Sequence, residues 1–338
     1  MYKRQNISNA KIEDALRILN EDYSKTNSEF PSPPRSTFVN YAGNANLEFC
    51  LATIDEDGNP TNGITRTSTT KDNFDPDSES NDMKRNNTGG KDGWDPARYL
   101  NIWICDLAVS ASGGMTLGYA YLPGLPSWQA WKDGLVVDYQ FFGTIQGSVG
   151  DGRTATHEIG HYLGLQHTFC ESSSGGCCDN DDNNVDDTPA TDGVYWGNVN
   201  ASTSNNTCND LLYGFSNDLL DMDENFMSYS QNTWMFSQDQ VNAMNATLFG
   251  YRSSLRNSTV PVNCTGTIGT GYNDLGNTFN IDIFPNPTNG KLIIKDPDFF
   301  KKKLNQRNAN FDIKNILNLD EKNLSLIHIS EPTRRTPI

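Results

Sequence analysis

The stretch that decides the fold is His157-Glu158-Ile159-Gly160-His161-Tyr162-Leu163-Gly164-Leu165-Gln166-His167, which contains three of the four histidines of the 338-residue chain. We predict a helix from Thr154 to Leu165. On that helix His157 and His161 lie one turn apart on the same face. Two imidazoles in this arrangement can bind one metal ion, so the sequence indicates a metal site.

The residues after this helix complete the predicted site. Gly164 accepts the left-handed backbone conformation that ends a helix, and the turn brings His167 back as a third ligand. Three neutral ligands and an open fourth position are typical of catalytic zinc. Glu158 is placed to accept a proton from zinc-bound water. An amphipathic helix with two structural histidines would also fit H-E-x-x-H, but Gly164 and His167 at this spacing match the longer metzincin pattern.

Composition excludes several functional classes. The net charge is −16 and the pI is about 4.6. Nucleic acid is therefore not an expected partner, because phosphate binding needs clustered Lys and Arg. The excess of acidic residues favours solubility, and clustered carboxylates also favour calcium binding. No apolar run approaches the roughly 20 residues that span a bilayer, so no membrane span is expected.

The seven cysteines are an odd number, which predicts at least one thiol without a partner in the chain. Four of them lie in one loop-rich stretch: Cys170, Cys177, Cys178 and Cys208. A second metal site would be an alternative, but we interpret them as disulfides of a secreted protein. Cys50 and Cys105 lie on predicted strands, where we expect buried free thiols, although a bridge remains open.

Both ends of the chain resemble foreign sequence. Residues 324–334 resemble the translation of a transposase adapter used in sequencing libraries, and residues 2–5 resemble its opposite strand. We therefore expect residues 1–5 and 324–338 to be adapter-derived. On this hypothesis His328 has no function, and a signal peptide or pro-segment was lost by truncation.

The hydrophobic pattern predicts an α+β domain with a cleft over residues 6–257. Helical spacing predicts one helix over Ala10–Ser24 and another from Ser237, where Ser237 and Gln240 form a capping box. The buried face of the second includes Leu255. Residues 73–94 and 169–224 read as loops. The predicted strands are Leu47–Ile54, Tyr99–Leu107, Thr116–Leu122 and Leu135–Phe142.

The composition changes after residue 257. Residues 258–278 are predicted to be a linker, and residues 279–323 a partial β domain. Within it, residues 279–294 fit a short β-hairpin around Pro285-Asn286-Pro287-Thr288-Asn289-Gly290. This segment resembles the C-terminal sorting domain of the type IX secretion pathway. The resemblance implies the type IX secretion machinery as a partner.

Further residues indicate a family. Met227 lies in the polar stretch Asp223–Ser230, downstream of the zinc motif. With His167-Thr168-Phe169 and Asp186-Asp187-Thr188-Pro189, this stretch resembles the pappalysin family of metzincins. The resemblance implies a secreted zinc endopeptidase. Its fold would be a twisted mixed sheet above an active-site helix, and a loop-rich lower subdomain with a C-terminal helix.

By this resemblance His157, His161 and His167 bind zinc, Glu158 is the general base and Met227 forms the methionine turn. Tyr229 would donate a hydrogen bond to the oxyanion of the tetrahedral intermediate. A protein or peptide substrate would pair with the edge strand Thr116–Leu122. The alternative function is a non-catalytic surface adhesion module on the same scaffold, which the complete set of catalytic residues disfavours.

The family also implies calcium near the acidic loop Asp179–Asp187, with Asp179, Asp181, Asn183 and Asp187 as ligands. An ordinary solvated acidic loop remains the alternative. Two departures from the family pattern are visible. Trp234 stands where a disulfide cysteine is common, which leaves Cys178 and Cys208 as the implied pair. Thr233 stands where members that cut before arginine have aspartate, so a basic preference is doubtful.

Overall fold

The structure is a computed structural model that describes residues 5–110, 113–170, 178, 185–212 and 214–264, together with the backbone of residues 324–333. In these residues no helix has both the length and the apolar character needed to cross a membrane. The hairpin and partial β domain predicted over 279–323 lie outside the described residues.

The first two helices lie close to their predicted positions. Helix α1 spans Asn9–Tyr23, and the hydroxyl of Ser8 caps it by accepting from the backbone N–H of Lys11 at 3.1 Å. Helix α2 spans Thr154–Tyr162, three residues shorter than predicted. It ends early because the chain already turns at Gly164, whose φ of 97° lies in the left-handed region.

The C-terminal helix is split in two. Helix α3 spans Gln238–Phe249 and begins with the predicted capping box, in which Ser237 and Gln240 exchange hydrogen bonds. The chain turns at Gly250, and α4 spans Ser253–Arg256. Leu255 is buried as predicted, but on α4 rather than on the longer helix that the sequence suggested.

Seven strands of the described residues form one mixed sheet. Their bounds are β1 Glu48–Ala52, β2 Ile64–Ser68, β3 Leu100–Cys105, β4 Gly118–Ala120, β5 Leu135–Asp138, β6 Val262–Asn263 and β7 Leu324–Thr333. The order is β4-β5-β3-β7-β1-β6, and β2 pairs with β7. Strand β3 is buried along its whole length, as predicted for a central strand. Sequence analysis missed β2, whose residues are mostly polar and incompletely buried.

Strands β6 and β7 lie in the two C-terminal segments that the sequence predicts to be a linker and an adapter-derived end. β7 runs parallel to β1, β2 and β3 within the segment that the sequence suggests is adapter-derived. That origin stays a prediction, which resequencing of the gene would test. β6 lies in the segment predicted to be a linker.

The sheet buries a core on each face. The larger core packs residues of α1, α2 and α3 against one face. A smaller core on the other face includes Phe74, Met83, Trp103, Cys105 and Val136, with Tyr119 packed against it. The order of strands leaves β4 at an edge, paired antiparallel with β5, beside helix α2.

Cysteine pairing differs from the expectation for Cys50. Its sulfur is bonded to Cys264 rather than free. The reason is the antiparallel pairing of β1 with β6, which places Leu51 opposite Asn263 and brings Cys264 beside Cys50. Cys105 is buried and free, as expected. The structure also joins Cys178 to Cys208, and Cys170 is disulfide-bonded.

Candidate metal centre

Three imidazoles converge at the C-terminal end of α2. The Nε2 atom of His157 lies 3.1 Å from that of His161 and 3.1 Å from that of His167, and the last two are 3.0 Å apart. Four-coordinate zinc with Zn–N bonds of about 2.0–2.1 Å separates its nitrogen ligands by about 3.3 Å. The triangle of nitrogens therefore fits one tetrahedral ion.

Backbone carbonyls orient two of these rings. The Nδ1 atom of His157 lies 2.7 Å from the carbonyl oxygen of Phe226, and that of His161 lies 2.8 Å from the carbonyl oxygen of Leu165. A carbonyl can only accept, so Nδ1 carries the proton and Nε2 presents a lone pair. Lone pairs that face one another at this distance repel unless a cation lies between them.

Burial favours the neutral, metal-binding form of His157. The pKa of His157 lies well below its usual value because the ring is buried, and the neighbouring imidazoles of His161 and His167 lower it further. An imidazole must be unprotonated at the ligating nitrogen to bind a metal. The site is thus preorganised for a metal at neutral pH.

Glu158 lies on the side of α2 that faces the edge strand. Its side chain is buried, and burial raises its pKa to about 8, while a hydrogen bond from the backbone N–H of Ala120 partly opposes the rise. A divalent cation nearby would lower this pKa again. The close approach favours glycine at 118, because a Cβ there would lie 2.9 Å from the carbonyl oxygen of Val136 and 3.1 Å from Cγ of Glu158.

Met227 lies directly beneath the helix. It is fully buried, and a Cβ added to Gly160 would lie 2.4 Å from its Sδ. The side-chain oxygen of Asn225 accepts from the backbone N–H of Met227 at 2.9 Å, and the Asn225 amide exchanges two hydrogen bonds with Gln240. The capping box at the start of α3 therefore supports the turn. Gln240 was predicted as a cap, but this second role was not.

A buried ion pair anchors the same segment from the N-terminal side. The guanidinium of Arg35 forms two hydrogen bonds with the carboxylate of Glu224, one of them from Nε at 3.0 Å, and donates a third to the carbonyl of Asp221 at 2.7 Å. Both side chains of the pair are buried. Sequence analysis missed this pair because its members are 189 residues apart and no local pattern links them.

Tyr229 stands beside the histidines in a row of aromatic rings. Its ring centroid lies 4.8 Å from that of His167 and 5.4 Å from that of Trp196. A cavity of about 420 Å³ opens here between the β4 edge and the segment after Met227. His157, Glu158, Trp196, Tyr229 and Thr233 are among its lining residues. The predicted catalytic residues and the cleft thus come together.

Of the four residues that the resemblance implies as calcium ligands, the structure describes only Asp187. Its Oδ2 accepts from the backbone N–H of Asp239 at 3.0 Å. Its Oδ1 is buried and has no hydrogen-bond partner among the described residues. Asp179, Asp181 and Asn183 lie outside the described residues, so this site stays a prediction.

Comparisons with known proteins point to one family. The family model described as pregnancy-associated plasma protein-A, peptidase M43, matches residues 83–249. The solved structure of mature mirolysin from Tannerella forsythia, in complex with a cleaved peptide, is 36% identical with a TM-score of 0.64. The match covers 75% of this chain and 90% of that chain.

Curated relatives match this chain in sequence over shorter spans. An extracellular metalloprotease of Arthroderma gypseum is 31% identical over 134 residues, which is 38% of this chain and 41% of the relative. One of Sordaria macrospora is 34% identical over 167 residues, which is 46% of this chain and 50% of the relative. The chain thus spans half or less of the length of these relatives. With the metal site and the mirolysin match, these findings show that the chain belongs to the peptidase M43 family, the pappalysin-type metzincins.

Proposed function

We propose that this protein is a secreted zinc endopeptidase. The observation that carries the proposal is the convergence of three Nε2 atoms within 3.1 Å of one another, with the Glu158 carboxylate on the same helix. Membership of the M43 family and the names of the extracellular metalloprotease relatives support it.

His157, His161 and His167 would hold the zinc, which when bound supplies a Lewis acid that activates water and polarises the scissile carbonyl. Glu158 takes up the proton of the attacking water and delivers it to the leaving amine. The hydroxyl of Tyr229 donates to the oxyanion that develops on the substrate, and Met227 supports the histidines from below. The free edge of β4 pairs with the extended substrate backbone.

The first experiment separates chemistry from metal binding. We expect Glu158→Gln to keep stoichiometric zinc and to lose casein cleavage, because the amide cannot accept the proton. The exposed Glu56→Gln, outside the cleft, is the matched control and should match wild type. A zinc chelator should abolish wild-type cleavage, and added zinc should restore it. Full activity of Glu158→Gln would overturn the assignment of the base.

The same assay decides the alternative function. A wild-type protein that binds zinc but cleaves neither casein nor a peptide library would be a non-catalytic adhesion module. The library would also give the residue preferred after the cut. Thr233 is among the residues that line the cavity. A strong preference for arginine would contradict the expectation that threonine at this position does not favour a basic residue.

Calcium is the second cofactor we propose. The support is the buried Oδ1 of Asp187, which lacks a hydrogen-bond partner in the described residues and is a suitable oxygen ligand. Asp179, Asp181 and Asn183 would supply further oxygens. Calcium should raise the melting temperature of the zinc-loaded protein, and Asp187→Asn should reduce that shift. An equal shift in both proteins would exclude Asp187.

Export by the type IX machinery is a separate proposal that rests on the sequence Pro285–Gly290. Deleting residues 279–323 should retain the protein in cells of a host with that machinery. Unchanged export of the deletion variant would refute this route.

A further inference from the structure

A buried lysine lies behind the edge strand that borders the cleft. Lys84 is completely buried, and its Nζ donates to the carbonyl of Lys132 at 2.6 Å. Its ammonium group also lies 4.9 Å from the ring centroid of Trp103, 5.8 Å from that of Tyr119 and 4.8 Å from that of Tyr121. Such cation–π contacts are strongest where water is excluded.

The two tyrosines belong to the edge of the sheet. Tyr119 lies in β4 and Tyr121 follows it directly, so their side chains point to the same face of the strand. The hydroxyl of Tyr119 donates to the carbonyl of Ser80 at 2.7 Å, and that of Tyr121 bonds to the Asn81 side chain. The segment 80–84 therefore holds β4 through both rings.

The opposite face of the same strand meets the catalytic helix. A Cβ added to Gly118 would be 3.0 Å from the Thr154 side chain and 3.1 Å from that of Glu158. A shift of Tyr119 or Tyr121 would therefore change how Gly118 packs against Glu158.

Lysine is an unexpected residue at position 84 if its only role there is packing. Removing an ammonium group from water is costly, and a hydrocarbon of similar volume often stabilises a buried site as well or better. The amino group of Lys84 contacts β3 through Trp103, the β4 edge through Tyr119 and Tyr121, and the carbonyl of Lys132. Burial lowers the pKa of Lys84 to about 7. An amino group that donates a hydrogen bond and lies against three aromatic rings fixes the relative positions of these partners more strictly than an apolar side chain does.

We propose that Lys84 is a positioning residue for peptide-bond cleavage: its caged amino group sets the β4 edge strand so that Gly118 packs against Glu158 and the strand edge aligns the substrate. This inference rests on the proposed protease function. It goes beyond that function, because it assigns a kinetic role to a residue that touches neither metal nor substrate.

The test compares Lys84→Met with Lys11→Met. Lys11 is a second buried lysine, lies 6.0 Å from the ring centroid of Tyr139, and belongs to α1 on the other face of the sheet. Zinc content and the folded fraction are measured for each variant. Values of kcat and KM are measured with a long peptide that spans the cleft and with a short one. Hydrogen exchange at residues 118–121 reports on the strand itself.

In Lys84→Met we expect kcat/KM for the long peptide to fall about tenfold or more, since small misplacements of aligned groups have effects of this size or larger. The short peptide should lose less, and exchange at residues 118–121 should accelerate while zinc content is retained. In Lys11→Met any loss should be equal for the two peptides, because it reflects only the folded fraction.

Two results would overturn the inference: a folded, zinc-loaded Lys84→Met with wild-type kinetics, or losses that are equal for both peptides. If Lys84→Met does not fold, Tyr121→Leu removes one ring of the cage and carries the same expectation. A wild-type protein without zinc-dependent cleavage would instead refute the proposed function. The exchange measurement would then still decide whether Lys84 holds the strand.

Discussion

The contact between Gly160 and the methionine turn can be tested by the change Gly160→Ala. Helix propensity alone predicts that alanine inside α2 is more stable than glycine by about 1 kcal/mol. The structure predicts the opposite sign. The new Cβ would lie 2.4 Å from Sδ of Met227, 3.3 Å from its Cε and 3.5 Å from the Phe236 ring.

The size of the effect follows from these distances. An ordinary contact needs at least 3.4 Å, so Met227 would have to move by about 1 Å in a densely packed core. Overpacking of this kind typically costs about 1–3 kcal/mol. After the gain in helix propensity, we expect Gly160→Ala to lower the free energy of unfolding by about 0–2 kcal/mol.

The metal site should also respond. Phe226, which precedes Met227, supplies the carbonyl that orients His157, and loss of such a supporting hydrogen bond typically weakens metal binding by about 10–100-fold. Urea unfolding of the metal-free protein gives the stability change, and competition with a chelator gives the zinc affinity. We expect both quantities to decrease.

A second substitution identifies the cause. Met227→Val removes Sδ and with it the clash, so Gly160→Ala should be less harmful in that background than in the wild type. The two changes should therefore be non-additive by about 0.5–3 kcal/mol. A single Gly160→Ala variant that is more stable and binds zinc normally would show that the close contact has no energetic weight.

Two further substitutions test the scaffold around the site. Glu224→Gln should lower the free energy of unfolding in urea by about 3–5 kcal/mol, because it leaves the buried guanidinium of Arg35 without its anionic partner. The exposed Glu21→Gln is its control and should change stability by no more than about 0.5 kcal/mol; similar losses in the two variants would contradict the role of burial. Gly118→Ala should retain zinc but reduce kcat/KM about tenfold or more, since its Cβ would press against Glu158. Undiminished turnover would show that the strand tolerates the side chain.

The metal-binding residues could be predicted from the sequence because their geometry is local. Residues four apart in a helix share a face, whatever surrounds the helix, so His157 and His161 had to converge once the helix formed. A single turn at Gly164 then decided where His167 could go. The start of α3 was predictable for the same reason, since a capping box involves residues three apart.

The contacts that hold this site depend on segments far apart in the chain. Arg35 and Glu224 are 189 residues apart, and Cys50 and Cys264 are separated by 214. No period or spacing in the sequence relates such positions, because the path of the intervening chain brings them together. For this reason the sequence left open whether Cys50 is free or bridged, and the structure shows the bridge to Cys264.

The sequence by itself determined which side chains form the candidate metal site and which carboxylate accompanies them. Only the tertiary structure decided what surrounds these groups: the Phe226 carbonyl behind His157, Gly118 of β4 against Glu158, and Met227 against Gly160. Local spacing fixes the direction of a side chain on its own helix. The position of its neighbours is fixed only when sheet and helices pack together.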